Sequence, residues 1–294
     1  MNTPLVSIIT VNFHQTEVTC ELLLSLQKIT YPNIEIWVVD NHSNGTLKEK
    51  LSEQFPRVNV IESRENLGFA GGNNLAITQA KGEFLMFLNN DTEVSPNFLE
   101  PLIATMNSDE NIAICSSKLH YFHTPNTIQY AGSSDLHPIK IQSFSIGFKE
   151  EDKGQYNKTI QTNLAHGAAM MVRRSAIQKV GLMPEEFFLY YEEIDWCLQF
   201  RKAGYKIFFV PDSLVLHKES ISVGKQSAVQ VYYKTRNRIL LARKWRSGFS
   251  KIIALTYLAL VAIRDLTKYL LTKKNVFLKI YWDALVWNLQ GKWK

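Results

Sequence analysis

The sequence predicts an α/β fold in which a mostly parallel sheet is flanked by helices and followed by a helical C-terminal region. Short apolar runs alternate with segments of helical periodicity through residues 6–116. Strands separated by helices form βαβ units, whose strands run parallel. In addition, 46% of the residues are hydrophobic and 20% are charged, which is typical of a globular protein with a substantial core.

The predicted strands are short apolar runs, most of them rich in branched side chains. In chain order they are Val6–Val11, Ile34–Val39, Val58–Ile61, Glu83–Leu88, Ile112–Ser116, Ala168–Val172 and Lys206–Val210, the last closed by Pro211 and Asp212. The predicted helices begin at Thr16 as N-cap, cover Leu75–Ala80 and about Pro96–Met106, begin again at Ser175, and cover about Glu192–Ala203. Residues 120–162 are predicted to form loops and short strands over one face of the sheet.

Residues 226–294 differ from the domain of residues 1–225 and are predicted to form a basic helical region, beginning with a helix over Gln226–Trp245. Residues 234–294 contain 14 Lys and Arg against 2 Asp and Glu, so their net charge is +12, whereas residues 1–233 carry a net charge of −6. The apolar run Ile252–Ile263, which Arg264 and Asp265 interrupt, is shorter than the roughly 20 residues of a spanning helix. Basic, aromatic and apolar residues mixed in helices are typical of segments that lie on an anionic membrane. The alternative is packing on the core or in a homodimer.

The cysteines and the N-terminus predict a reducing compartment. Cys20, Cys115 and Cys197 are odd in number and widely spaced, and no CxxC pair occurs, so disulfides and zinc knuckles are not expected. The N-terminal residues lack the basic and small-residue features of a signal peptide. With the basic C-terminal region, these features predict a cytoplasmic protein peripheral to the inner face of the cell membrane.

Polar side chains follow three apolar runs at the point where each run ends. Asp40 lies in VVDNHSNG, Asp91 follows Asn89 and Asn90 in LNNDTEV, and His217 closes a later run. Ligands of open α/β sheets bind beyond the carboxyl ends of the strands, so these groups are expected at one cleft. In extended chain Asn89 and Asp91 would point the same way, which suits a hard divalent cation on a diphosphate. A structural turn is the alternative for each carboxylate taken alone.

Two further motifs precede predicted helices. NLGFAGGNN, residues 66–74, places three glycines and three asparagines at a loop-to-helix junction, where backbone can approach a nucleotide closely. FFLYYEEIDW, residues 187–196, places Glu192, Glu193 and Asp195 at a helix start beside five aromatic residues. A carboxylate among aromatic side chains can accept a proton near neutral pH. A flexible turn and simple helix stabilisation are the respective alternatives.

In this order, VVDNHSNG, NLGFAGGNN, LNNDTEV, HGAAMMVRR and FFLYYEEIDWCLQFRKAGYKI resemble the family 2 glycosyltransferases, particularly the rhamnosyltransferase-like branch, over roughly residues 5–245. The resemblance implies a GT-A fold, a nucleotide-sugar donor and Mg²⁺ or Mn²⁺. Asn89 replaces the first carboxylate of the family's DxD metal motif, which leaves Asp91 as the principal acidic ligand. The implied site comprises Thr10, Asn12 and Asp40 at the base; Asn66, Gly68, Asn89 and Asn90 around the nucleotide; Asp91 and His217 on the metal; Glu193 as general base, framed by Glu192 and Asp195; and His166 and Gly167 on the sugar and acceptor side.

The implied function is inverting transfer of a sugar to a glycan or lipid-linked acceptor in bacterial surface polysaccharide synthesis. L-rhamnose from dTDP-rhamnose, or a sugar from a UDP donor, is the expected substrate, and no nucleic-acid partner is expected. A sugar nucleotidyltransferase would have a Gly-rich loop with Arg and Lys where this chain has Thr10–His14. A processive synthase would have several spanning helices and a QxxRW motif. A non-enzymatic membrane adaptor would explain the basic region but leave the acidic strand ends unexplained.

Overall fold

The computed structural model describes residues 3–219 and 227–291, and within them ten strands form one mixed sheet. The strands are β1 (Val6–Asn12), β2 (Ile34–Asn41), β3 (Val58–Ser63), β4 (Phe84–Leu88), β5 (Thr92–Val94), β6 (Ile112–Tyr121), β7 (Thr124–Tyr130), β8 (Ile160–Thr162), β9 (Ala169–Arg173) and β10 (Lys206–His217). Their order is β3-β2-β1-β4-β9-β6-β10-β5, with β7 on β6 and β8 on β10. Strands β1 to β4, β6 and β10 run in one direction, which confirms the mostly parallel sheet.

Helices cover both faces of this sheet. They are α1 (Thr16–Leu26), α2 (Thr46–Gln54), α3 (Gly68–Gln79), α4 (Leu99–Ser108), α5 (Arg174–Val180), α6 (Glu192–Lys202), α7 (Ala228–Trp245), α8 (Gly248–Leu271) and α9 (Asn275–Leu289), with a 3-10 turn at Glu185–Phe187. Ile8 and Ile9 are neighbours in β1 and fully buried, yet they belong to separate hydrophobic clusters on opposite faces. Successive side chains of a strand alternate between faces, so a sheet covered on both sides buries every residue of its central strands.

Strand β10 is longer than predicted, because it does not end at Val210 but continues through Pro211 to His217. Its register against β6 shifts between Val210 and Leu214, which marks a bulge. Bulges are among the few positions where a sheet accommodates proline, since they interrupt the hydrogen-bond ladder. The extension carries His217 to a strand end beside the edge strand β5, where it pairs with Thr92.

The glycine-rich motif is itself helical, contrary to the predicted loop before Leu75. Helix α3 begins at Gly68, and its glycines allow close packing between protein segments. A Cβ at Gly72 would lie 2.9 Å from Cγ1 of Val11, which is too close for any side chain. We therefore attribute Gly72 to the contact of α3 with β1 rather than to a nucleotide.

Other helix limits also differ from those predicted. Thr16 is the first residue of α1, Gln15 is its N-cap, and α4 begins at Leu99 rather than Pro96. Helix α2 had no predicted counterpart. The domain boundary at residues 225 and 226, and the start of the predicted helix at Gln226, lie outside the described residues.

The C-terminal region packs on the body through one face and exposes the other. Leu240 and Leu241 of α7 and Leu258 of α8 share a hydrophobic cluster with Leu136 and Phe187 of the body. Helix α8 spans 24 residues, and it continues through Arg264 and Asp265, the charged pair that ends the apolar run. In the part of the chain that the structure describes, no helix has both the length and the hydrophobicity needed to cross a bilayer.

Candidate active site

A cavity of about 970 Å³ lies at the carboxyl edge of the sheet, where β2, β4 and β10 end. Asn41, Asn89 and His217 mark those strand ends along its wall. The structure thus brings together groups that are far apart in the chain. Ten of the fourteen predicted site residues line the cavity: Asn66, Gly68, Asn89, Asn90, Asp91, His166, Gly167, Glu192, Glu193 and His217.

Asp91 and His217 form a buried pair in the wall of this cavity. The Asp91 Oδ1 atom lies 3.1 Å from His217 Nε2, and both side chains are less than a tenth exposed. The pairing does not arise from the extended geometry that was predicted, because Asn89 to Thr92 form a turn in which Thr92 N–H donates to the Asn89 carbonyl. A turn of this kind returns Asp91 towards the end of β10, and the Asn89 amide lies 3.5 Å from the same imidazole nitrogen.

The other nitrogen of His217 fixes the tautomer of the ring. Nδ1 lies 2.8 Å from Gln129 Oε1, an acceptor, so Nδ1 carries the proton. In the neutral ring, Nε2 then presents a lone pair to the Asp91 carboxylate. Two acceptors facing each other favour a cation between them, and an anchored second nitrogen is typical of a metal-binding histidine. The pair therefore fits a divalent cation.

The protein supplies few ligands to such a cation. Among the described residues there is no group of three or more His, Cys, Asp and Glu side chains able to hold a metal. Asp91 and His217 would hold the ion only together with oxygen ligands from a bound diphosphate and water, which is how Mg²⁺ sites in phosphate-handling enzymes are usually completed. The site therefore suits a cation that arrives with its ligand.

Glu193 lies on the same cavity at the first turn of α6, and burial raises the pKa of its carboxyl above the ordinary value. The Oε2 atom is buried and has no hydrogen-bond partner in the described residues. Gly167 lies beside it, since a Cβ added there would be 3.6 Å from the Glu193 Cβ. Burial also raises the pKa of the neighbouring Glu192, with repulsion from Glu193 adding to the effect. A buried carboxylate of raised pKa, with one oxygen free of hydrogen bonds, can accept a proton from a bound hydroxyl group.

The 186–191 segment that leads into α6 has a strained backbone. Phe188, Tyr190 and Tyr191 have φ angles of 63°, 66° and 78°, in the left-handed region that ordinary side chains avoid. Such residues persist only where the surroundings determine the backbone, and they concentrate at functional sites. The position of the Phe188 carbonyl explains why residue 68 is glycine. A Cβ at Gly68 would lie 2.1 Å from the Phe188 carbonyl oxygen.

Two side chains of α7 hold the 186–191 segment in place. The Asn237 Nδ2 atom lies 2.7–2.8 Å from the carbonyl oxygens of Phe187, Leu189 and Tyr190. The Arg236 guanidinium donates to the carbonyl oxygens of Glu186 and Phe187. Through Nε it also donates to Asn237 Oδ1 at 2.7 Å. Helix α7 therefore positions the turn from which Glu193 projects.

Replacing Asn237 by Ala is expected to destabilise the protein by about 3 kcal/mol or more, because each buried carbonyl left unsatisfied costs about 1–3 kcal/mol. The comparison is urea unfolding of the variant against Asn107→Ala. Asn107 is an exposed asparagine of α4 whose side chain makes no hydrogen bond in the described residues. The control should change the unfolding free energy by less than about 0.5 kcal/mol. Equal midpoints for Asn237→Ala and the unmodified protein would refute the positioning role.

Four predicted residues lie outside the cavity wall. Asn12 and Asp40 pair across β1 and β2, where Asn12 Nδ2 donates to Asp40 Oδ1 at 2.9 Å. Thr10 is buried in β1, and its hydroxyl has no partner among the described residues. Asp195 faces α7 instead, accepting from Trp245 Nε1 at 2.6 Å, so it contributes to helix packing.

Asn41 follows Asp40 and lines the cavity, although its sequence position predicted no role for it. Its side chain donates to the Gly68 carbonyl at 2.9 Å and accepts from Leu67 N–H at 2.8 Å. Asn41 therefore fixes the turn before α3. Its position in VVDNHSNG was the only signal that could have identified it. Gln129, which orients His217, lies in β7, within the residues 120–162 that were predicted only as loops and short strands.

His166 adds a neutral donor to the wall. Burial lowers its pKa to about 3, so the ring is uncharged at neutral pH. Its Nδ1 accepts from Ala168 N–H at 3.1 Å, which leaves the proton on Nε2. The ring lies 6.1 Å from that of His217, between centroids.

The chain is similar to proteins of one enzyme family. Residues 7–181 match the family described as glycosyl transferase family 2. A low-salt glycan biosynthesis hexosyltransferase of Haloferax volcanii is 29% identical over 84% of this chain and 77% of its own. A dTDP-rhamnosyl transferase of Shigella flexneri is 28% identical over 72% of each chain. An N-acetylglucosaminyl-diphospho-decaprenol L-rhamnosyltransferase of Mycobacterium tuberculosis is 22% identical over 77% of this chain and 80% of its own.

Solved structures share the fold. A mannosyltransferase from Pyrobaculum calidifontis, in complex with GDP-Man and Mn²⁺, superimposes with a TM-score of 0.59 at 15% identity, covering 99% of this chain and 76% of the other. GalNAc-T7 with UDP, GalNAc and Mn²⁺ gives a TM-score of 0.62 at 17% identity, covering 85% of this chain and 53% of the other. The predicted GT-A fold, with helices appended at the C-terminus, is confirmed.

Proposed function

The chain belongs to glycosyltransferase family 2, and from this premise we propose that it is a metal-dependent, inverting transferase with Glu193 as its general base. One observation carries the proposal: the Asp91–His217 pair and Glu193 line a single cavity at the carboxyl edge of the sheet. The first would hold the cation on the donor diphosphate, and the second would face the acceptor hydroxyl. We also propose the division into a catalytic domain of residues 1–225 and a basic region of residues 226–294.

The residues of the chain divide the chemistry between them. Asp91 and His217 would hold Mg²⁺ or Mn²⁺, which when bound neutralises the negative charge that develops on a leaving diphosphate. Glu193 removes the proton of the attacking hydroxyl, an effect typically worth about 10²–10⁴-fold in rate. One base on the face opposite one leaving group gives a single in-line displacement, which inverts the anomeric centre. Retention through a covalent intermediate would require a carboxylate acting as nucleophile.

We propose a dTDP- or UDP-linked sugar as the donor, with dTDP-L-rhamnose as the first candidate. The similarity to the Shigella flexneri and Mycobacterium tuberculosis rhamnosyltransferases supports this choice. Asn66 and Gly68 would border the nucleotide, with Asn41 holding the turn that joins them. The acceptor would be a glycan or a lipid-linked glycan, as in bacterial surface polysaccharide synthesis.

A panel of nucleotide sugars tests this function. Each candidate is added with Mn²⁺, and unfolding temperature and release of the nucleoside diphosphate are both measured. We expect one dTDP- or UDP-sugar to raise the unfolding temperature, because a ligand that binds only the folded state stabilises it. The same compound should be hydrolysed slowly with water as acceptor. If no member of the panel either stabilised the protein or was hydrolysed, the proposed function would be contradicted.

We further propose that α8 binds an anionic membrane at the inner face of the cell membrane. One face of this helix exposes a stripe of large apolar side chains along its whole length: Phe249, Ile252, Ile253, Leu260, Ile263, Leu270 and Leu271. Arg264 and Lys268 lie beside the stripe. An apolar face bordered by basic residues is typical of helices that lie in a membrane interface. A homodimer formed through the same face is the alternative.

Replacing Ile252, Leu260 and Ile263 together by Glu is expected to release the protein from vesicles of phosphatidylglycerol and phosphatidylcholine. All three side chains are exposed, so folding should not suffer. A matched control adds the same charge to exposed apolar positions of the body, at Leu24, Ile160 and Leu182. We expect sedimentation with vesicles to be lost only in the α8 variant. Unchanged sedimentation, together with a dimer that dissociates in the variant, would favour the homodimer and refute membrane binding.

A further inference from the structure

The loop of residues 133–145 forms a wall of the cavity to which the sequence motifs assign no role. Ser133, Gln142, Ser143, Phe144 and Ser145 line the cavity from this loop, and none of them carries a charge. Phe144 is 59% exposed although it faces the cavity. An exposed aromatic ring on a cavity wall costs hydrophobic free energy unless a ligand covers it.

Hydrogen bonds fix the backbone of this loop at the residue that carries the ring. The Phe144 N–H donates to Ser134 Oγ at 2.9 Å, and the Phe144 carbonyl accepts from Ser134 N–H at 3.0 Å. Next to this pair, Ser133 and Ser145 form an antiparallel β-bridge. An aromatic side chain has few rotatable bonds, so on a fixed backbone it binds a ligand with little loss of conformational entropy. The loop is therefore organised before any ligand arrives.

The polar groups of the loop are available to a ligand. Within the described residues, the side chains of Gln142, Ser143 and Ser145 make no hydrogen bond, and they border the cavity. Hydroxyl and amide groups donate and accept, as the hydroxyl groups of a sugar do. A pyranose ring combines such a polar edge with an apolar C–H face, which an aromatic ring can cover. A phosphate or a cation would instead require charged side chains.

The loop adjoins the base rather than the nucleotide turn. Ile141 is buried in the cluster that contains Phe187, and its carbonyl accepts from Tyr191 OH at 3.5 Å. Tyr191 precedes the proposed base, Glu193, by two residues. An acceptor whose hydroxyl reaches Glu193 can therefore place its remaining ring atoms along this wall.

From these observations we propose that the 133–145 loop binds a sugar ring of the acceptor, with Phe144 as the platform beneath its C–H face. The proposal rests on the proposed function, because it requires an acceptor beside Glu193. It deepens that function by assigning one loop, and Phe144 within it, to the sugar ring of the acceptor.

The test uses octyl glycosides of glucose, N-acetylglucosamine, galactose and rhamnose, with 1-octanol as the probe that lacks a ring. Saturation-transfer NMR on the full chain with diamagnetic Mg²⁺ and a nucleoside diphosphate reports binding without turnover. Phe144→Ala is compared with Phe144→Trp, which keeps an aromatic face. The matched control is Phe148→Ala, since Phe148 is 51% exposed but does not line the cavity.

We expect ring protons of at least one glycoside to receive saturation. Phe144→Ala should weaken that binding about tenfold, which corresponds to ~1.4 kcal/mol. Phe144→Trp should restore it, and Phe148→Ala should leave it unchanged. Hydrolysis of the nucleotide sugar by water should stay within about twofold in all three variants.

Three results would overturn the inference: no saturation of any sugar ring, equal binding in Phe144→Ala, or an equal loss in Phe148→Ala. A parallel loss of hydrolysis in Phe144→Ala would assign the ring to the donor and also overturn it. These outcomes differ from failure of the proposed function. That failure would appear as absence of hydrolysis in the unmodified protein with every nucleotide sugar.

Discussion

Glu193→Gln is expected to lower the rate of sugar transfer by about 10²–10⁴-fold while leaving donor affinity unchanged, because the amide cannot accept the acceptor's proton. Initial rates give the first quantity, and titration with the nucleotide sugar and Mn²⁺ gives the second. Glu192→Gln is the matched control. Glu192 is also buried on the cavity wall, and we expect its replacement to cost less than about tenfold. Near-normal turnover in Glu193→Gln would exclude this residue as the base.

The same variant has an expected effect on stability that separates catalysis from folding. Burial holds the pKa of Glu193 above its ordinary value, so the folded protein binds this proton more tightly than the unfolded chain. The contribution is therefore present at low pH and is lost as pH rises from the unfolded pKa through the folded one. A glutamine side chain does not ionise, so the variant does not lose this stability as pH rises. At neutral pH, Glu193→Gln should unfold at the same temperature as the unmodified protein or higher.

The pH dependence of the reaction follows from the same shift. Glu193 must be ionised to act as a base, so transfer should fall as pH decreases through its pKa. The acid limb of kcat/KM is expected at an apparent pKa above the ordinary 4.5 of a glutamate. An acid limb at or below 4.5 would contradict this assignment.

Asp91→Ala is expected to abolish the dependence of nucleoside diphosphate binding on a divalent cation. The affinity measured with Mn²⁺ should fall to that measured with EDTA, and kcat/KM should drop by about 10²-fold or more, because a bound cation stabilises the leaving group by several kcal/mol. Glu93→Gln is the control. Glu93 lies two residues further on but pairs with Lys218 at 2.8 Å and is not part of the cavity wall.

The control should keep both the affinity and its response to EDTA. If Asp91→Ala bound the diphosphate with Mn²⁺ as tightly as the unmodified protein does, and lost that affinity in EDTA, the metal-binding role of Asp91 would be refuted. His217→Ala should repeat the result, because the two side chains form one pair.

The sheet and its polar strand ends could be predicted from the sequence because both depend on local patterns. Apolar runs located β1, β2, β4 and β9 to within a few residues. The rule that ligands lie beyond the carboxyl ends of parallel strands then grouped Asp91 and His217. What could not be predicted was the form of the contact, since Asp91 reaches His217 through a turn and not through extended chain.

Contacts between distant segments account for the remaining errors. Asp195 resembled a site residue because it follows Glu192 and Glu193, but its partners Lys244 and Trp245 lie about 50 residues later in the chain. Gly72 resembled part of a nucleotide loop, but its free space is taken by Val11. In each case the residue type was consistent with both interpretations, and only tertiary packing distinguishes them.

Anomalous diffraction from crystals soaked with Mn²⁺ and UDP or dTDP tests the central claim most directly, since it locates the cation without assuming any activity. We expect one strong manganese peak within about 2.5 Å of both an Asp91 carboxylate oxygen and His217 Nε2, with diphosphate oxygens completing the shell. A diphosphate bound in the cavity with manganese elsewhere, or with none bound, would contradict the account.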